Sequence, residues 1–402
     1  MTMRMNSLNI LFKVVLGILM AMGGTFGSAG QPPSDSLRIS LLTCAPGEAL
    51  YSKFGHSAIR VMDPVNRTDI VYNYGLFDFD TPNFYVKFIR GKLPYQLGVQ
   101  SFRQFMWEYE YEHREVLETP LRLSPEHQAA LLRFLETNYL PENRQYPYDF
   151  FFDNCASRIR DVLEKTAAMT YIPQDTVESS KTFRELLDKY IGRYPWVNFG
   201  IDLILGLPAD QKAGFRGEMF LPDYLAQNLK AGQSIQKPVT EPDTQLLSGL
   251  AGEPNRKPAL TPFLAFSLLF AAFALLSGLA PTSKALLLAD TLFFLALGLA
   301  GSLFAFMWAG TDHDATHRNL NLLWANPLAL GAVAGLFFSS QRFWVALTAL
   351  GAGIALLGFP FLPQALHPAV IPIALTILLR CLYLLGVIPW KPRQAAGEAV
   401  SD

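Results

Sequence analysis

The sequence has no surplus of either charge. Its 33 Lys and Arg against 34 Asp and Glu leave a net charge of -1, with no basic excess to neutralise phosphates, which argues against a nucleic-acid partner. Charge of any sign is scarce, 17% against a hydrophobic share of 50%, and that places part of the chain outside water. Cysteine and histidine are few, three and six in 402 residues, and no internal repeat is present. Cys381 lies in an apolar run, which leaves Cys44 and Cys155 as a soluble pair, joined as a disulfide or free with separate roles.

What is present begins with an export pattern. Arg4 and Lys13 precede an apolar run from Val14 to Met22, and Gly27-Ser28-Ala29 follows, as in a secretory signal with a small-residue cleavage site. Residues 1–29 are thus a signal peptide or, uncleaved, an anchor. Both deliver the rest of the chain outside the cytoplasm.

Residues 37–232 have the composition of an aromatic-rich α+β domain. Alternation marks strands at 38–42, 56–62, 69–74 and 114–121, with Asp63-Pro64-Val65-Asn66 as a hairpin connection. Residues 84–89 read as a short helix. Ser124-Pro125-Glu126 opens a helix to Tyr139, and Asn154 caps another whose buried face is Ile159, Val162 and Leu163. The rest of the domain after that helix, through Trp196, Phe199 to Leu207 and Phe220-Leu221-Pro222, has the pattern of an irregular wrap.

Residues 233–258 form a polar linker, after which the chain changes solvent. Apolar runs at 260–280, 286–308, 324–338, 343–362 and 369–390 approach or reach the ~20 residues that span a hydrocarbon core, giving a helical bundle of about five spans over 259–390. An external first domain makes Lys284, Arg342, Lys391 and Arg393 cytoplasmic, with 391–402 a cytoplasmic tail. Asp290 and Arg380, inside spans and toward the same side, are expected to pair. Gly331 and Gly335 have the small-residue spacing of a helix contact.

The chemistry centres on Cys155. In the first turn of a helix a thiol feels unpaired N–H groups and the positive end of the helix dipole, and both favour the thiolate. His56, brought out of a turn by Gly55, is the candidate base. A third group to orient the imidazole is expected at Asn73, ahead of Asp78 and Asp80.

A histidine strand, a polar strand and then Asn-Cys on a helix resembles the circularly permuted papain-like proteins, the NlpC/P60-like and lecithin-retinol acyltransferase-like group. A closer likeness rests on longer stretches. Residues 42–47 and 51–60, 72–79, 81–84, 151–161, Pro195-Trp196 with Phe199-Gly200, and 220–222 are similar to the periplasmic domain of the Lnb-type lipoprotein N-acyltransferases known from Bacteroides-like bacteria. Asp312-His313 and Asn319 to Leu328 resemble a feature of the family's membrane part.

The resemblance implies a multi-pass inner-membrane enzyme with its catalytic domain in the periplasm. Its reaction would move an acyl chain from a phospholipid to the N-terminal amine of a diacylglyceryl-cysteine lipoprotein, through a thioester on Cys155. Neither a metal nor a cofactor enters that chemistry. Asp312, His313, Asn319 and Asn321, in the outward loop, become candidate substrate-binding residues, although the loop also reads as a hydrogen-bonded cap of the bundle. His313 and His317, four apart, are a further candidate pair for a metal with Asp312 or Asp314. Two other readings stay open: a membrane-tethered cysteine hydrolase or peptidase acting on the cell envelope, and a non-enzymatic assembly partner with a structural cysteine.

Overall fold

A computed structural model describes residues 37–167, 181–231, 233–234, 237–249 and 258–388. The expected signal segment and cytoplasmic tail, with Lys391 and Arg393, lie outside the described residues.

Strands β1 (Arg38–Cys44), β2 (His56–Asp63) and β3 (Thr68–Leu76) form a meander, followed by helix α1 (Phe84–Ile89), β4 (Pro94–Ser101), α2 (Phe102–Tyr111) and β5 (Val116–Pro120). Next come α3 (Pro125–Tyr139), β6 (Gln145–Pro147) and α4 (Cys155–Ala167). Four helices follow: α5 (Phe183–Ile191), α6 (Pro195–Ile204), α7 (Gly214–Glu218) and α8 (Pro222–Ala231). A small hairpin, β7 (Gln233–Ser234) with β8 (Lys237–Pro238), precedes β9 (Thr244–Leu247). The main sheet has the order β6-β4-β3-β2-β1-β5-β9, and every neighbouring pair is antiparallel.

Period-two alternation supplies both faces of this sheet. Ile39, Leu41, Ile59, Val61, Tyr72 and Tyr74 face α3, α4 and α8, where Leu131, Leu135, Ile159, Leu163 and Leu225 complete the core. Leu42, Cys44, Ala58 and Val71 face the other way, onto Phe105 and Tyr109 of α2. A smaller core of Phe151, Phe183, Leu186, Phe220 and Leu221 sits behind the start of α4.

Two expectations are corrected here. The stretch from Trp196 to Pro222 is largely helical, because its apolar residues serve two cores: Phe199 packs into the membrane bundle while Ile201 packs against the Phe151 cluster, so no single stripe emerges. Within the polar linker, β9 pairs with β5, Leu247 opposite Val116; an edge strand joins through its backbone and needs few apolar side chains.

The second half is helical: α9 (Pro262–Leu279), α10 (Lys284–Ala309), α11 (Leu328–Phe337), α12 (Arg342–Gly358) and α13 (Val370–Leu385). Thr261 and Ser283 cap the first two through their hydroxyls. Among the described residues four apolar stretches are long enough to cross a membrane, 262–279, 284–309, 314–337 and 339–358; α13 is apolar but shorter. The third of these is not one helix. It enters through 3₁₀ turns at Asp314–Thr316 and Leu320–Leu323, and α11 itself has ten residues. Asp290 and Arg380 pair as expected, with Nε and Nη2 of the arginine each 2.7 Å from a carboxylate oxygen and both side chains buried. Gly331 and Gly335 let α12 approach: a Cβ would stand 2.6 Å from Trp344 and 2.7 Å from Val345.

The two halves are clasped by amides. Asn319 Nδ2 donates to Leu203 O at 2.7 Å, Asn321 Nδ2 to Asp202 O at 3.1 Å, and Gln364 Nε2 to Leu205 O at 3.0 Å. These carbonyls lie in the last turn of α6 and just beyond it, where a helix leaves acceptors unused. Asp202 and Asp210 in turn hold the buried guanidinium of Arg184, and Asp210 accepts from the Ala365 N–H at 3.1 Å.

Candidate active site

Helix α4 is started by Asn154. Its Oδ1 accepts from the N–H groups of Ala156 and Ser157 at 2.9 and 3.0 Å, while Nδ2 donates to the carbonyls of Phe150 and Phe220, both at 2.9 Å. Ser157 Oγ returns a bond to the Asn154 N–H at 2.8 Å. This reciprocal cap fixes the helix start against the Phe151 core. Asp153 braces the turn through a two-pronged ion pair with Arg158, whose guanidinium lies 3.7 Å from the centre of the Tyr146 ring. Cys155 is therefore the first helical residue, and its own N–H has no acceptor among the described residues.

His56 arrives from the opposite direction. Gly55 turns the chain with φ +79°, and a Cβ there would stand 2.7 Å from the carbonyl oxygen of Cys44, so only glycine makes this entry into β2. Nε2 of His56 is 2.6 Å from Oδ1 of Asn73 on β3. An amide oxygen accepts and does not donate, so Nε2 carries the proton and Nδ1 is the nitrogen left for the thiol. The backbone of β3 also makes room: the Cβ position of Gly75 is 3.7 Å from Cβ of Cys155.

Burial works against charge on both members of the pair, and their mutual attraction overcomes it. On Cys155 the adjacent imidazole, its hydrogen bond and the backbone N–H groups of Ser57 and Ala156 outweigh burial and hold the thiol below its ordinary range. On His56 burial is outweighed by the Cys155 thiolate and by hydrogen bonds to Cys155 and Asn73, so its pKa is raised. Both shifts run toward a thiolate–imidazolium pair, with Asn73 bonded to the far side of the ring.

Cys44 is not joined to Cys155; both thiols are free. It stands opposite His56 in the β1–β2 register, fully buried beside Tyr109, and burial pushes its thiol up to about 12 against a hydrogen bond from that tyrosine. Such a thiol is inert packing.

A cysteine at a helix start, an imidazole beside it and an amide on that imidazole now stand together in one domain joined to an apolar bundle. A family model described as the Lnb N-terminal periplasmic domain matches residues 29–188, and one described as the Lnb transmembrane domain matches residues 254–389. The chain belongs to the Lnb family. No curated protein and no solved structure matches it. This Lnb-family chain is a multi-pass inner-membrane protein whose first domain lies in the periplasm.

The outward loop of this Lnb-family protein is an interdomain joint. His313 Nε2 bonds the carbonyl of Phe88 at 3.2 Å, the Asp312 N–H donates to Arg90 O at 2.9 Å, and the Asp312 carboxylate is 3.6 Å from Lys92. Asn319 and Asn321, both buried, spend their amides on α6 as described above. His317 turns to Asp314 and the Thr311 carbonyl rather than to His313. Among the described residues no group of three or more His, Cys, Asp or Glu is placed to hold a metal. Ala315 enters the Phe151 core that supports Asn154. The four loop residues expected to bind substrate thus join domains around the site. Sequence reasoning did not single out the Ser57 N–H or Gly75, whose roles depend on strand register.

Proposed function

We propose that the protein is a membrane-bound thiol acyltransferase that transfers an acyl chain from a phospholipid to the N-terminal amine of diacylglyceryl-cysteine lipoproteins. The observation that carries this reading is the Cys155–His56–Asn73 set, built at a helix start within a domain clasped to a membrane bundle. Membership of the Lnb family supports it.

The thiolate of Cys155 attacks the ester carbonyl of the donor, forming a C–S bond and a tetrahedral oxyanion within reach of the Cys155 N–H. As the oxyanion collapses the C–O bond breaks, and the His56 imidazolium gives its Nδ1 proton to the leaving lysophospholipid oxygen. An acyl thioester and neutral His56 remain. The lipoprotein amine then attacks the thioester, His56 accepts the amine's proton, and the thiolate departs to leave an amide. Two half-reactions on one nucleophile give ping-pong kinetics. A fixed seat on the bundle keeps the thiol near substrates that are confined to a leaflet.

Expression of wild type and Cys155→Ala in cells lacking their own N-acyltransferase tests the reading by mass spectrometry of lipoprotein N-termini. The expected result is N-acylation with wild type and none with the variant. N-acylation by Cys155→Ala overturns the nucleophile. Fatty-acid release without amide formation by wild type makes the protein a hydrolase.

A further inference from the structure

The connection between β3 and β4 carries a cluster of aromatic and aliphatic side chains that no core uses. Phe79, Tyr85 and Val86 are 72%, 76% and 57% exposed, and α1 has no buried residue at all. Isolated exposed apolar residues need no explanation, but a contiguous patch does. This one is held together by its own rings, Phe77 against Phe79 at 5.0 Å and Phe79 against Phe84 at 5.0 Å between centroids.

Its position supplies the missing neighbour. α1 and the turn after it rest on the outward loop through the bonds of His313 to Phe88 O and of Asp312 to Arg90 O. That loop begins directly after α10, which ends at Ala309 and has 26 residues, about 39 Å at 1.5 Å per residue, enough to cross the bilayer completely. The patch therefore sits beside the outer end of a helix long enough to reach headgroup level. Exposed aromatics with basic residues beside them, here Lys87 and Arg90, are the composition of a segment lying in that interface.

The rings also lead inward. Phe88, Phe84, Phe77, Tyr95 and Tyr148 are linked by steps of 6.2, 5.8, 5.3 and 4.2 Å between centroids. Tyr148 lies close enough to feel charge on Cys155, and Phe77 follows Gly75, the residue against Cys155, by two positions.

We propose that the segment from Phe77 to Ile89 is immersed in the outer leaflet and forms the lip over which the donor phospholipid's acyl chain passes to Cys155. The identity of the chain as acyl donor rests on the acyltransferase reading; immersion of the lip does not.

Two measurements on the full-length protein in phospholipid nanodiscs test this separately. In a Cys155→Ser background, whose other two cysteines are buried, single cysteines at Phe79, Val86, Val65 and Leu268 are labelled with a fluorophore and challenged with phospholipid spin-labelled near its carbonyl. Val65 lies at the far end of β3, about 30 Å from the lip at 3.3 Å per residue. Quenching is expected at positions 79, 86 and 268 and not at 65; quenching at 268 alone overturns immersion. The triple variant Phe79→Ser/Tyr85→Ser/Val86→Ser alters only exposed side chains. It is expected to form acyl-Cys155 from bilayer phospholipid at least tenfold more slowly, with iodoacetamide reactivity of Cys155 reporting an intact site. An unchanged acylation rate overturns the lip. Slowing of the amine step alone assigns the surface to the acceptor's chains and overturns the donor path. Absence of acyl-enzyme in wild type sinks the acyltransferase reading, while quenching still decides immersion.

Discussion

Oδ1 of Asn73 lies 2.6 Å from Nε2 of His56, and this contact decides which ring nitrogen faces the thiol. Asn73→Ala removes the acceptor and frees the ring to turn. A hydrogen bond to a charged group contributes about 1.5–3 kcal/mol, so a loss of roughly 10- to 100-fold in acyl-enzyme formation is expected. Single-turnover acylation on folded protein, measured well below Tm, checks this: the rate should fall by that factor while the protein remains folded, with Tm lower by the few degrees that one lost bond implies. Equal falls in Tm and rate would make Asn73 a packing residue.

The pair also sets a pH dependence. A thiol whose pKa is lowered stays thiolate as pH falls until that lowered value is crossed, so alkylation of wild-type Cys155 persists below the ordinary thiol range of about 8.5. His56→Ala removes the attraction and leaves burial, the largest opposing influence, in control. The alkylation inflection then moves upward, and each pH unit of displacement lowers reactivity at pH 7 by about tenfold. Iodoacetamide rates from pH 5 to 10 read it directly, and an inflection that stays in place would show that the helix start alone activates the thiol.

Gly55→Ala tests the turn that delivers His56. The substitution places a side chain at φ +79° and puts its Cβ 2.7 Å from the Cys44 carbonyl, a backbone atom with no freedom to yield. Left-handed strain alone costs about 1–2 kcal/mol, and the clash adds to it. Denaturant unfolding should shift by at least that amount, with a loss of Cys155 alkylation at pH 7 as His56 is displaced. Normal alkylation at reduced stability would separate the turn from the site.

How far the sequence revealed these features follows from what each depends on. Strands β1 to β3 were readable from short apolar runs bounded by turn residues, helices α3 and α4 from one regular buried stripe each, and Asn154 marks its helix start by local chemistry. Helices α6 and α8 were not, since neighbouring residues serve different cores, Phe199 and Ile201 in one and Tyr224 and Leu225 in the other; α5 was passed over although Phe183, Leu186, Leu187, Tyr190 and Ile191 form one stripe behind a Thr182–Glu185 capping box. Cys155 and His56 stand out through their neighbours in sequence. The geometry uniting them with Asn73 depends on strand register, and the clasping role of Asn319 and Asn321 needs a partner more than 110 residues away. Polarity in an outward loop suggests a ligand; the amides of Asn319 and Asn321 are bonded to the backbone of α6.

Asn321→Ala probes that clasp. Leu203 O keeps Asn319 as a donor, so the groups left without a partner are the Asp202 carbonyl and the Trp324 indole N–H, which donated to Asn321 Oδ1, and a loss of about 2 kcal/mol is expected at about 1 kcal/mol for each bond. Asn319→Ala/Asn321→Ala strands both carbonyls, and the double variant should lose more than the sum of the singles. The specific readout is a fall in acylation from bilayer phospholipid while alkylation of Cys155 by a soluble reagent is kept. If both reactions fall together, the amides support the periplasmic domain's own fold.

The deepest polar contact in the bundle offers a test in which removal of two groups does less harm than removal of one. Asp290 binds Arg380 through both oxygens, Ser277 takes a further guanidinium N–H, and all three side chains are buried. Asp290→Ala leaves a guanidinium without its counter-charge among apolar helices, a loss of about 3–5 kcal/mol for a broken buried pair. Asp290→Ala/Arg380→Leu removes the charge as well, and replacing a whole buried pair with apolar groups is often neutral. The expected order of detergent-resistant Tm is therefore wild type close to the double variant, with Asp290→Ala well below both. Since the pair lies toward the cytoplasmic side, acylation chemistry at Cys155 should follow folded protein in all three. A double variant as unstable as Asp290→Ala would mean that Arg380 is held chiefly by Ser277 and the surrounding packing.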